Sequence, residues 1–99
     1  MKLTEEQLPE SERPVWRKLQ QLERREKQIL WRLIQHSSKD HLCIVQNVTP
    51  AVNELEEQGL IQRNPAYQSR NGTSYYVLRR TPHLMKKLQT AAIRQEKAF

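Results

Sequence analysis

The spacing of apolar residues predicts a long amphipathic helix in the first third of the chain. Between residues 14 and 36 aliphatic side chains recur at alternating four- and three-residue steps, as one face of a helix requires. They are Val15, Leu19, Leu22, Ile29 and Leu33. Ser11 is a suitable N-cap, and Pro14 fits a first helical turn. Residues 23–27 are all charged, so we expect the helix to bend or split there.

Two threonine–proline pairs predict two further helices. Thr49 can cap a helix that has Pro50 at its first position, where the missing N–H costs nothing. This short helix, residues 50–58, is expected to end at Gly59, which suits the left-handed stop after a helix. Thr81 and Pro82 repeat the same arrangement at the start of a C-terminal helix that frays near residue 95.

Three short apolar runs predict strands. Residues 42–45 form one strand, and residues 61–67 and 74–79 form a hairpin closed by a tight turn at Asn71 and Gly72. Successive strand residues face opposite ways, so either Tyr75 and Val77 face the core while Tyr76 faces outward, or the reverse. The expected class is α+β, with a flexible leader at residues 1–13, one domain at 14–94 and a frayed end at 95–99.

Composition limits the class of protein. The 99 residues suit one domain with a modest core. Cys43 is the single cysteine and has apolar neighbours, which predicts a buried thiol in a reducing compartment. No apolar stretch approaches the roughly 20 residues that cross a bilayer, and the first residues are unlike a secretion signal. We therefore expect a cytoplasmic protein without a membrane segment.

The order of elements resembles the winged helix-turn-helix superfamily over about residues 23–93. Its recognition helix commonly ends in a phrase similar to Leu-Glu-Glu-Gln-Gly-Leu-Ile-Gln-Arg at residues 55–63, and the hairpin that follows is the wing. The resemblance implies a DNA-binding regulator of transcription. A complete helix-turn-helix has one more helix before the recognition helix, whereas here a strand occupies residues 42–45.

A second resemblance is to the cytosolic part of phage superinfection-exclusion proteins of the B type. It rests on Glu-Lys-Gln-Ile-Leu at residues 26–30, a short strand, a Val-x-x-Leu helix and Gly-Leu-Ile at residues 59–61. This resemblance implies a protein-interaction module of phage or mobile-element origin that docks on a host or viral protein.

Charge is sorted along the chain, and this sorting selects the candidate site. The net charge is +6, yet residues 37–62 carry one base and four acids, while residues 63–99 carry eight bases and one acid. A helix that reads DNA bases normally presents basic or amide side chains, so the acidic helix 50–58 disfavours insertion into a groove. We predict instead that the hairpin and tail hold phosphate backbone, with a tyrosine available to stack on an unpaired base. The candidate nucleic-acid-binding residues are Arg63, Arg70, Asn71, Tyr76, Arg79, Arg80, Lys86 and Lys87.

Two other surfaces remain candidates. The acidic helix can serve as a protein-contact face through Asn53, Glu54, Glu56 and Glu57. The apolar stripes of the first and last helices suit a homodimer, unless these helices pack on one another within a monomer. The dimer candidates are Trp16, Leu19, Leu88 and Ala92.

The sequence offers nothing typical of catalysis. His36, His41 and His83 show no metal-ligand spacing with Cys43 or with a carboxylate cluster. Only two glycines are present, and each has a structural use, so no glycine-rich phosphate loop is expected. We predict a binding protein that is not an enzyme and needs no cofactor or metal.

Overall fold

The computed structural model describes residues 4–66 and 72–95. In these residues the architecture is α+β, with four α-helices and one antiparallel sheet of three strands. The elements in chain order are α1 (Arg13–Gln21), α2 (Arg24–Gln35), β1 (Leu42–Val45), α3 (Pro50–Glu57), β2 (Ile61–Arg63), β3 (Thr73–Val77) and α4 (Pro82–Ile93). None of these helices has the length and apolar character that crossing a membrane would require.

The first third of the chain forms two helices, α1 and α2, rather than one continuous long helix. Leu22 and Glu23 both adopt extended backbone between α1 and α2. The break lies beside the charged segment 23–27, where a bend or split was expected. It lets Leu19 of α1 and Leu30 of α2 both reach the core, and both are fully buried.

The sheet has the strand order β1-β3-β2. The predicted hairpin pairing is confirmed, since Ile61 lies opposite Val77 in an antiparallel register. Strand β2 ends at Arg63, earlier than predicted, and the proposed turn residue Asn71 lies outside the described residues. A side chain at Gly72 would place its Cβ only 2.7 Å from the carbonyl oxygen of Val45, so β3 can begin beside β1 only with glycine there.

The sheet buries one face against the helices and leaves the other partly exposed, although Ser74 on that outer face is buried. Tyr75 and Val77 are fully buried, whereas Tyr76 on the opposite face is only half-buried, which decides between the two orientations left open by the sequence. Cys43 is also buried, as predicted. Thr49 caps α3 by accepting a hydrogen bond from the Val52 N–H at 3.3 Å, and Gly59 takes the left-handed conformation that ends this helix.

Residues 4–12 differ from the flexible leader that we expected. They form two short 3-10 turns, Glu5–Gln7 and Glu10–Glu12, and Leu8 is buried in the core. The segment is held because Arg13 Nε donates hydrogen bonds to the carbonyl oxygens of Glu5 and Leu8, at 3.2 and 3.3 Å. The folded part of the chain therefore begins before α1.

The start of α4 is capped from this N-terminal segment rather than by Thr81. The Thr81 hydroxyl donates to the carbonyl oxygen of Leu78 and makes no capping bond to α4. The buried carboxylate of Glu12 instead accepts the N–H groups of His83 and Leu84, at 3.3 and 2.8 Å. The predicted cap, Thr81, is thus replaced by Glu12, which lies 71 residues before His83 in the sequence.

Three of the four residues proposed for a homodimer interface are buried within the single chain and cannot form one. Trp16, Leu19 and Leu88 have at most 2% of their surface exposed within a single chain, and Ala92 is half-buried. Most of the apolar faces of α1 and α4 is covered inside the monomer, which was the alternative interpretation of these stripes.

Cys43 is expected to react slowly with thiol reagents while the protein is folded. The side chain is 4% exposed, and burial raises the pKa of the Cys43 thiol because the thiolate loses its hydration. At pH 8 we expect modification by a chromogenic disulfide to be at least about tenfold slower in buffer than in denaturant, since access requires local opening. Equal rates in the two solutions would show that the thiol is accessible.

Candidate functional site

Two basic residues of α1 form hydrogen bonds with other parts of the fold. Arg17 donates to both carboxylate oxygens of Glu5, at 2.6 and 3.1 Å. This hydrogen bond lowers the pKa of Glu5 and raises the pKa of Arg17. Lys18 Nζ donates to the carbonyl oxygen of Gln58 at 2.9 Å and thereby satisfies the C-terminal end of α3.

A tight turn between β3 and α4 presents two arginines to solvent. We call residues 78–81 the arginine turn, because Arg79 and Arg80 occupy its two central positions and both are exposed. It is closed by a hydrogen bond from the Thr81 N–H to the Leu78 carbonyl oxygen at 3.1 Å. Leu78 has a φ of 51°, which costs about 1 kcal/mol or more in a residue with a side chain. Its buried side chain anchors this strained backbone and so fixes where the two arginines emerge.

Arg79 folds back over the outer face of the sheet. Its guanidinium carbon lies 4.2 Å from the centre of the Tyr76 ring, a close cation–π contact. Tyr76 lies directly opposite Gln62 of β2 and Leu42 of β1, so these three side chains form one row across the sheet. In this row Gln62 is exposed, whereas Tyr76 and Leu42 are half-buried.

An open cavity of about 220 Å³ lies between the arginine turn, the row on the sheet and the end of α3. It is lined by Glu56, Gly59, Leu60, Ile61, Gln62, Tyr76, Arg79 and Arg80. Its lining has one carboxylate, Glu56, which lies 3.7 Å from Nη2 of Arg63. Arg63 also donates to the Tyr75 hydroxyl at 3.4 Å. Glu56 and Arg63 therefore partly neutralise each other, while Arg79 and Arg80 form no ion pair with any residue that the structure describes.

The candidate nucleic-acid-binding residues fall into three groups. Tyr76, Arg79 and Arg80 line the cavity. Arg63 lies next to it, because it contacts Glu56 of the lining. Lys86 and Lys87 lie on α4 and do not line it. Arg70 and Asn71 lie outside the described residues. Sequence reasoning missed Gln62, which the strand register places opposite Tyr76.

Helix α3 presents an acidic surface, as predicted. Asn53, Glu54 and Glu57 are exposed, whereas Glu56 is half-buried beside Arg63. Only residues 46–49 separate β1 from α3, and they contain no helix. The arrangement thus lacks the helix that would precede a recognition helix in a complete helix-turn-helix.

The described residues contain no group of three or more histidine, cysteine, aspartate or glutamate side chains placed to hold a metal ion. His83 is engaged by the Glu12 carboxylate, whose Oε2 lies 2.8 Å from the ring Nδ1. Two further open cavities lie at the ends of α2, one near Ile93 of α4 and one near Glu54 of α3. Neither cavity has two basic side chains in its lining.

Comparison of the chain with protein-family models, curated proteins and solved structures finds no match. The resemblances to winged helices and to phage exclusion proteins therefore remain interpretations of the sequence.

Proposed function

We propose that this chain is a small nucleic-acid-binding regulator with a winged-helix-like arrangement that contacts phosphate backbone through the arginine turn. The observation that carries the proposal is the pair Arg79 and Arg80, which are adjacent, exposed and without a carboxylate partner in the described residues. Arginine is suited to phosphate because its planar fork can donate two parallel hydrogen bonds.

The electrostatics of the surface favour a polyanion. Arg63, Arg79 and Arg80 together with Glu56 carry a net charge of +2, and the Glu56–Arg63 contact leaves the turn itself uncompensated. Each phosphate that a base neutralises releases condensed counterions, which supplies affinity independent of sequence.

The acidic face of α3 limits the mode of binding. Glu54 and Glu57 would repel phosphates on both sides of a major groove if α3 entered it. We therefore propose backbone contact with little base-sequence preference, extended along α4 by Lys86 and Lys87 and along the hairpin by Arg70 and Asn71.

Reversing both charges of the arginine turn is expected to weaken binding strongly. Each phosphate contact contributes a slope of about 0.9 to the logarithmic salt dependence, so losing two contacts lowers affinity on the order of 50-fold at about 0.1 M salt. The measurement is fluorescence anisotropy of labelled single-stranded and duplex oligonucleotides with wild type and Arg79→Glu/Arg80→Glu, between about 50 and 200 mM salt. The variant should also show a shallower salt dependence.

Lys39→Glu/Arg94→Glu is the matched control. It changes the net charge by the same amount, but Arg94 follows the C-terminal end of α4, and Lys39 lines an open cavity with Ala92 and Ile93 at that end; both are exposed. That end lies about 17 Å along the helix from the arginine turn, given a rise of about 1.5 Å per residue. Equal weakening by the two double variants would contradict the proposal, because it would mean that only total charge matters.

The alternative function is a protein-interaction module of phage or mobile-element type that docks through α3. It is favoured by one observation, the exposed acidic face of Asn53, Glu54 and Glu57, which carries no base. If wild type binds no oligonucleotide at about 50 mM salt, where backbone contacts are strongest, this alternative replaces the first proposal.

A further inference from the structure

The outer face of the sheet carries an apolar and aromatic surface next to the arginine turn. Leu42, Tyr76 and Gln62 form a row across the three strands, and Ile44, two residues along β1 on the same face, is 51% exposed. Half of the side chain of a large aliphatic residue is therefore in water on a face where polar residues are the rule. Phosphate contacts made by Arg79 and Arg80 would not involve this apolar surface.

Tyr76 and Arg79 form a preordered pair on that surface, which we call the platform. The guanidinium lies over the ring at 4.2 Å, and Arg79 remains exposed to solvent. The contact with Tyr76 restricts the arginine before any ligand arrives, which lowers the conformational entropy that binding must remove. A guanidinium plane and an aromatic ring are both surfaces on which nucleobases stack.

We propose that this platform binds an unpaired base of single-stranded nucleic acid, stacked on the Tyr76–Arg79 pair, while Arg80 neutralises a neighbouring phosphate. The inference rests on the proposed function and narrows its ligand to unpaired strands. Gln62 stands opposite Tyr76 and can form a hydrogen bond with the edge of the stacked base. Ile44 and Leu42 extend the apolar surface beyond the first base.

A duplex cannot use this platform. Its bases are paired and stacked on one another, so that only their edges are accessible in the grooves. An unpaired base has a free face, and stacking it on a protein side chain is tolerant of sequence.

The test compares three labelled ligands of equal length: a single strand, its duplex, and an abasic strand that keeps every phosphate but has no bases. Wild type should bind the single strand about 5- to 100-fold more tightly than the abasic strand, as expected for one stacked base. Tyr76→Leu should remove most of the preference for the single strand over the abasic strand without changing the salt dependence. Tyr76→Phe should keep this preference. Arg79→Lys, which retains the charge but loses the plane, should also reduce it.

The outcomes separate the inference from the function on which it rests. If single strand, abasic strand and duplex bind equally and all depend on Arg79 and Arg80, stacking is overturned and phosphate binding stands. If no ligand binds, both are overturned. Thermal unfolding of each variant checks its folding. If Tyr76→Leu does not fold, Arg79→Lys at an exposed position provides the test: an unchanged preference for the single strand over the abasic strand would overturn stacking.

Discussion

Replacing Leu88 with alanine is expected to lower the free energy of unfolding by about 2–5 kcal/mol. Leu88 is fully buried in the core cluster, so the substitution removes buried methyl groups and leaves a cavity. Small domains have only about 5–15 kcal/mol of stability, so the loss is a large fraction of the total. Urea denaturation followed by circular dichroism measures it, and the melting temperature should fall by at least about 8 °C.

Ile93→Ala is the matched control on the same helix. Ile93 is 84% exposed, and its truncation should change stability by no more than about 0.5 kcal/mol. Urea denaturation at several protein concentrations tests the corrected role of Leu88. A residue of the monomer core lowers stability equally at every concentration, whereas a dimer contact would have an effect that depends on concentration. Equal, small effects of the two substitutions would show that Leu88 does not pack within the monomer.

The elements that the sequence predicted well are those specified by neighbouring residues. Thr49 caps α3 within three positions, Gly59 ends it, and the alternation of Tyr75 with Tyr76 follows the pleat of one strand. The pairing of β2 with β3 joins runs that are close in sequence. Each of these features depends on local backbone geometry, which residue identity and spacing reveal.

The errors arose where a distant partner decides the outcome. An apolar stripe shows that a helix face will be buried, but it does not show which element will cover that face. Trp16 and Leu19 were therefore assigned to a dimer, although they pack inside the chain. The polar residues 4–12 lack apolar periodicity, yet Leu8 and Arg13 hold them on the fold.

The candidate site was predicted in composition but not in detail. The sequence selected Arg63, Arg79 and Arg80 as equivalent bases, whereas the structure pairs Arg63 with Glu56 and leaves the other two without ion pairs among the described residues. The difference depends on the left-handed backbone of Leu78, which turns the chain after β3. Leucine rarely adopts that conformation, so no sequence rule indicates it.

Replacing Glu12 with alanine is expected to destabilise the fold by about 2–4 kcal/mol, because hydrogen bonds to a charged group are worth about 1.5–3 kcal/mol each and are not additive. The carboxylate is 3% exposed and accepts the N–H groups of His83 and Leu84 while contacting the His83 ring. It also places a negative charge at the N-terminus of α4, where the helix dipole favours it. Removing it leaves the first turn of α4 without its cap and frees the segment before α1. The measurement is again urea denaturation, with hydrogen exchange at the start of α4 as a local readout.

Glu10→Ala removes the same side chain from an exposed position in the same 3-10 turn, so it controls for the loss of charge and for local backbone preference. Its expected effect is within about 0.5 kcal/mol, as for most surface substitutions. Faster exchange at the start of α4 should therefore appear in Glu12→Ala alone. Should the two variants unfold at the same urea concentration, the long-range cap does not stabilise the protein, and residues 4–12 would behave as the flexible leader that the sequence predicted.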